Sequence, residues 1–283
     1  MNHVEMNPEG SRLRFFRLAV ATALLAAFAA GSARADQPVP FQGDCQAMAE
    51  SGELAGAGLT RLATRIAERK AITVIAFGSS STEGIGASSP SNTYPARLEA
   101  ELKQHFPGLD LRVINRGVGG EDVAEMLKRF DRDIIAAKPD LVVWQLGTNA
   151  ILRDDGIAPE QPLMLRGIHQ FKKAGIDVVL MNPQFAPKVM RDPDAIPMIE
   201  MIAEIARITN VPVFRRFEMM RYWRKDLAMP YEKFLSPDLL HMNDFSYGCV
   251  ARYLGAAIAE DVKQQQRLAG GIAAASRPAD NQR

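Results

Sequence analysis

Beyond its first 35 residues the chain alternates short, almost continuous apolar runs with longer stretches in which apolar residues return every three or four positions. Runs of the first kind suit strands covered on both faces, and stretches of the second suit amphipathic helices. The strand candidates are 72–77 (ITVIAF), 111–115 (LRVIN), 141–146 (LVVWQL), 177–181 (DVVLM) and 211–214 (VPVF). Helical patterns fall between them at 94–105, 122–137, 159–174 and 193–209, with one more stretch around 58–70 and a last helix from 243 to about 265. Strands alternating with helices in this way build a parallel sheet joined by crossover helices. The pattern predicts an α/β fold: a three-layer α/β/α sandwich around a five-stranded, mainly parallel sheet. In such sheets working groups gather at the carboxyl ends of the strands.

The first 35 residues read differently. Arg12, Arg14 and Arg17 precede an unbroken small-apolar run, 18–31, that ends at Ala33-Arg34-Ala35. A positive flank, a short hydrophobic stretch and an A-x-A site form a secretory leader, too short to serve comfortably as a membrane anchor. The expected organisation is a cleaved leader over 1–35, one domain over 36–269 and a frayed tail over 270–283. Export would place the mature chain in the periplasm or outside the cell. In that oxidising space Cys45 and Cys249 are expected to form one disulfide, with two separately buried thiols as the alternative.

Composition narrows the function classes. The whole chain carries 34 Lys+Arg and 33 Asp+Glu; removing the leader's four Arg and two Glu leaves 30 basic against 31 acidic residues. No overall field would draw nucleic acid. Two cysteines exclude a four-thiolate metal site. The basic cluster Arg215, Arg216, Arg221, Arg224 and Lys225 reads as a solvated helix face balanced in part by Glu218 and Asp226, with capture of an anionic substrate as the alternative.

Four segments carry chemistry. The first strand runs into Gly78-Ser79-Ser80-Ser81-Thr82-Glu83-Gly84, the second into Asn115-Arg116-Gly117-Val118-Gly119-Gly120-Glu121 and the third into Gly147-Thr148-Asn149; Ser236-Pro237-Asp238-Leu239-Leu240-His241 comes far downstream. A serine hydroxyl is a poor nucleophile until an imidazole takes its proton, and the imidazole needs an acceptor to fix its tautomer. Asp238, with only two residues between it and His241 in a Pro-initiated turn, can reach back to Nδ1 and leave Nε2 for Ser80. The Ser80 N–H, the Gly120 N–H and the Asn149 carboxamide can converge on an oxyanion, each worth ~3 kcal/mol in the transition state. Gln184 and Phe185, in the loop after the fourth strand, are expected at the same edge, in reach of substrate.

The blocks GSSST, NRGVGGE, GTN and DLLH, in that order after successive strands, resemble the SGNH or GDSL-type hydrolases. The resemblance covers roughly 72–254 and implies a flavodoxin-like sandwich and a serine esterase with Ser80 as nucleophile, Asp238 and His241 completing the triad, and Gly120 and Asn149 in the oxyanion hole. Two positions depart from it: Ser79 stands where that type carries Asp, and its GTND reads Gly147-Thr148-Asn149-Ala150. The function so implied is a secreted carboxylic-ester hydrolase with no metal or organic cofactor, acting on a small ester or an acetylated glycan. A lysophospholipase or thioesterase is the enzymatic alternative. A non-catalytic glycan- or phosphate-binding protein is the alternative from another class, disfavoured because neither glycine turn matches a P-loop or a G-x-G-x-x-G fingerprint.

Overall fold

The five strand candidates join in one sheet. A computed structural model describes residues 39–45, 54, 58–153 and 156–275, with 271–275 as backbone alone. In it β1 (Ile72–Gly78), β2 (Leu111–Gly117), β3 (Leu141–Gln145), β4 (Asp177–Met181) and β5 (Val213–Phe214) run parallel in the order β2-β1-β3-β4-β5. This is the flavodoxin-like doubly wound order, and its winding reverses between β1 and β3. β1, β3 and β4 are buried along almost their whole length, as strands covered on both faces must be. The last strand is shorter than its apolar run because Pro212 has no N–H for the ladder; its carbonyl still accepts from Leu180 N–H.

The helices are α1 (Thr60–Ala67), α2 (Ser80–Glu83), α3 (Tyr94–His105), α4 (Val123–Lys128), α5 (Phe130–Asp133), α6 (Thr148–Ile151) and α7 (Glu160–Lys173). They continue with α8 (Pro187–Met190), α9 (Ala195–Thr209), α10 (Arg216–Lys225), α11 (Tyr231–Phe234) and α12 (Asp244–Ala275). α12 packs on α1 and α3, and α7 on α4 and α9, which makes the two outer layers. The stretch 122–137, expected as one helix, divides at Arg129, whose side chain turns inward. Its first piece starts on a capping box between Asp122 and Glu125.

The final helix extends past 265 and through 270 to Ala275, because the Gln, Arg, Leu and Ala of this stretch are good helix formers that outweigh two glycines. The leader expected over 1–35 and the remainder of the tail lie outside the described residues. A disulfide joins Cys45 to Cys249 on α12. No helix among the described residues is long and apolar enough to cross a membrane.

Candidate active site

Beyond β1 the chain turns directly into α2, where Ser79 O accepts from the N–H groups of Thr82 and Glu83. Ser80 thus opens a single helical turn at the carboxyl end of a central strand, beside the point where the sheet's winding reverses. Gln145, fully buried at the end of β3, holds the turn from below. Its Oε1 accepts from Ser79 N–H at 2.9 Å, Ser79 Oγ at 3.1 Å and Thr82 Oγ1 at 3.2 Å. Ser79 is therefore a donor, a role no carboxylate could fill. Ala150, the other departure from the GDSL-type motif, is buried at 6% exposure, where an Asp would be desolvated.

β2 delivers the glycine loop against the same turn. A Cβ at Gly117 would fall 2.0 Å from Glu83 N and 2.5 Å from Glu83 Cα, so only glycine lets the strand end meet α2. The Cβ position of Gly119 lies 3.8 Å from Ser80 Cβ, which measures how near the loop passes to the serine. Gly120 takes φ +79°, a left-handed conformation, and faces open space.

Two arginines brace this loop. Arg129 donates to Gly78 O at 3.1 Å, Arg116 O at 2.9 Å, Glu121 at 2.6 Å and Asp133 at 2.7 Å, which ties the ends of β1 and β2 together. Arg153 donates to Gly120 O at 2.7 Å and Glu125 at 2.8 Å, and also to Asp122. Asn149, on α6 after β3, donates through Nδ2 to Glu121 O at 2.8 Å, so one amide hydrogen is engaged and the other is left.

The downstream segment reaches the same edge as a tight turn. Ser236 N–H donates to His241 O at 2.8 Å, and Leu239 sits at φ +55°, a costly conformation for a branched side chain. Asp238 Oδ1 accepts from the N–H groups of Leu240 and His241, both at 3.0 Å, leaving Oδ2 to meet His241 Nδ1 at 2.5 Å. His241 Nε2 lies 2.9 Å from Ser80 Oγ. Partial burial acts to raise the Asp238 carboxyl, but the His241 side chain and the two N–H donors outweigh it and hold the group at about 2. The carboxylate is ionised wherever the imidazole has to be held.

Ser80, His241 and Asp238 thus meet, and Gly120 and Asn149 lie on the two loops beside them. Gln184 and Phe185 do not face the cleft. They are 1% and 3% exposed: Gln184 bonds internally and Phe185 packs edge-on against Phe217 at 5.5 Å. The expectation that they touch substrate is corrected by this burial. The basic cluster is corrected too: Arg215, Arg221 and Lys225 are exposed, but Arg216 is wholly buried. Arg224 lies over the Tyr231 ring. Of the bracing residues missed from sequence, Gln145 had a visible signal, a carboxamide ending an otherwise apolar strand. Arg153 had none, because its partners are distant in sequence; Arg129 had Asp133 four residues on, but nothing in sequence tied it to Gly78 O.

Fold and constellation define a class: doubly wound α/β proteins that set a serine hydroxyl, an imidazole and a carboxylate in one hydrogen-bonded line at the switch point of the sheet. Residues 44–264 match the model of the Non-GDSL lipase-like family, and the chain belongs to that family. That description does not carry the GDSL label of the sequence resemblance, and Ser79 and Ala150 already depart from the GDSL-type motif. A curated relative, an acetylxylan esterase from Geobacillus stearothermophilus, is 35% identical over 77 residues, 27% of this chain and 35% of that protein. The chain thus spans about a third of that relative's length. A two-domain esterase active on acetylated mannans is similar in structure, with TM-score 0.64 and 22% identity over 76% of this chain and 56% of that one. An acetyl xylan esterase superposes with TM-score 0.56 and 22% identity over 66% of this chain and 100% of that one. At these identities the structural likeness is one of fold.

Proposed function

We propose that the protein is a serine-dependent carboxylic-ester hydrolase of the SGNH type that removes small acyl groups, acetate above all, from glycans in the periplasm or outside the cell. The observation that carries this reading is the line Ser80 Oγ to His241 Nε2 at 2.9 Å and His241 Nδ1 to Asp238 at 2.5 Å. Ser80 Oγ attacks the ester carbonyl while His241 Nε2 takes its proton, and Asp238 holds Nδ1–H and the imidazolium that forms. The oxyanion is received by the Ser80 and Gly120 N–H groups, neither engaged by another described residue, and by the second Asn149 hydrogen. His241 then protonates the departing alcohol, and water releases the acyl group by the reverse sequence.

The choice of acetylated glycan is supported by the acetylxylan and acetylmannan esterases among the similar proteins. Export is supported by the composition of the first 35 residues. Hydrolysis of p-nitrophenyl acetate and of acetylated xylo- and manno-oligosaccharides by wild type and Ser80→Ala tests the reading. Wild type is expected to release acetate and to be labelled at Ser80 by a fluorophosphonate. Equal rates in the two proteins, or labelling at Ser79 or Ser81, would overturn it. Preference for lysophospholipids or thioesters would move the substrate class and leave the chemistry.

A further inference from the structure

α10 begins on Arg216, a guanidinium with no exposed surface and no carboxylate within 4 Å among the described residues. Burial lowers its pKa from 12.5 to about 10, so it keeps its charge at neutral pH. An unneutralised buried cation is unfavourable to stability. Among the described residues Nη1 has no partner; Nε donates to Asn182 O at 3.0 Å and Nη2 to Gln184 Oε1 at 3.0 Å.

That last bond fixes the Gln184 amide. Arginine can only donate, so the atom facing Nη2 is the amide oxygen, and Nε2 is the group left to donate elsewhere. Oε1 also accepts from Thr148 Oγ1 at 3.0 Å, and Nε2 donates to Leu240 O at 3.2 Å. Thr148 immediately precedes Asn149, and Leu240 immediately precedes His241. One buried amide, oriented by one buried cation, therefore joins the two turns that carry the carboxamide and the imidazole. The His241 turn also contains the left-handed Leu239, so its geometry needs restraint from outside.

We propose that Gln184, oriented by Arg216, is a positioning residue: it sets the placement of His241 relative to Asn149 without touching substrate. The inference rests on the ester-hydrolase reading above. Gln184→Glu isolates it, because a carboxylate keeps the acceptor for Arg216 and Thr148 while losing the donor to Leu240. With p-nitrophenyl acetate the variant is expected to lose kcat by about 10- to 100-fold with KM within about threefold, the size of effect a small misplacement causes. Fluorophosphonate labelling of Ser80 is expected to slow in parallel.

The double variant Gln184→Met/Arg216→Met guards against a folding defect: it also removes the buried cation that Gln184→Met alone deprives of an acceptor, so its Tm is expected to lie above that of the single variant. It is expected to stay slow. Wild-type kcat in Gln184→Glu, or in a double variant with restored Tm, overturns the proposal, as does a KM that rises while kcat holds. Equal hydrolysis by wild type and Ser80→Ala would instead remove the ester-hydrolase reading and this proposal with it.

Discussion

Asp238→Asn is the sharpest test of the proposed chemistry, because the structure dictates how it should fail. The carboxylate uses its two oxygens for different tasks: Oδ1 caps the turn through two N–H groups at 3.0 Å, and Oδ2 faces His241 Nδ1 at 2.5 Å. An asparagine can keep the cap with its oxygen. Its amide nitrogen must then face Nδ1 where only an acceptor fits, so Nδ1 gives up its proton and the neutral imidazole carries it on Nε2. An Nε2–H donates to Ser80 Oγ and cannot take its proton. The expected loss is ~10⁴ in kcat, about 5 kcal/mol of barrier, with KM little altered.

Initial rates with p-nitrophenyl acetate, alongside a thermal melt, check this; a folded Asp238→Asn protein within tenfold of wild type would refute the reasoning. The pH profile adds a second constraint. Asp238 is held at about 2, below its ordinary 3.8, so a loss of activity on acidification that sets in well above that range does not come from protonation of this carboxylate. For a depressed carboxyl the stability contribution is present above 3.8 and disappears as pH falls toward 2.

Asn149→Ala removes both the bond to Glu121 O and the proposed oxyanion donor, and is expected to lower kcat by about 10²–10³; an unchanged kcat in a folded variant would exclude that role. Reduction of Cys45–Cys249, or Cys249→Ala, opens a loop of 204 positions. Chain entropy sets an upper figure of about 5 kcal/mol for that closure, or roughly 10–20 °C in Tm, and melts with and without dithiothreitol measure it. An unchanged Tm would contradict it. Glu160 is 5% exposed. Burial first and the Asp122 charge second raise its carboxyl from 4.5 to about 7, against the Val123 N–H and Arg153. A raised carboxyl favours the folded state below the unfolded value, so stability should fall by about 3 kcal/mol as pH climbs from 4.5 through 7. Glu160→Gln should abolish that slope; parallel Tm–pH curves for the two proteins would show the reasoning wrong.

What the sequence made legible, and what it hid, follow from one physical distinction. A strand buried on both faces must be apolar throughout, so ITVIAF, LVVWQ and DVVLM announce themselves locally, and parallel pairing then fixes which end of each carries the following turn. The positions of Ser80, Gly120 and Asn149 at one edge follow from that alone; His241 comes to the same edge only after two further helices. A turn's edge, however, says nothing about where each of its side chains points. Gln184 shares the edge with Ser80 but faces inward, because Thr148, Leu240 and Arg216 offer it three partners from three other segments. Arg216 sits among basic residues that are mostly exposed, and only the carbonyl of Asn182 and the amide of Gln184 separate it from them. Arg129 breaks a helix that periodicity draws unbroken, for the sake of four acceptors spread from Gly78 to Asp133. In each case the deciding partner lies on another element, so no window of sequence contains the reason. The groups proposed to do chemistry are legible because their reactivity limits the residue types that can serve, whereas the groups that hold them in register are chosen by shape and by leftover hydrogen-bond capacity. The Gln184 and Asp238 variants therefore probe different things: the second removes a residue whose identity the chemistry demands, the first one whose identity only the packing explains.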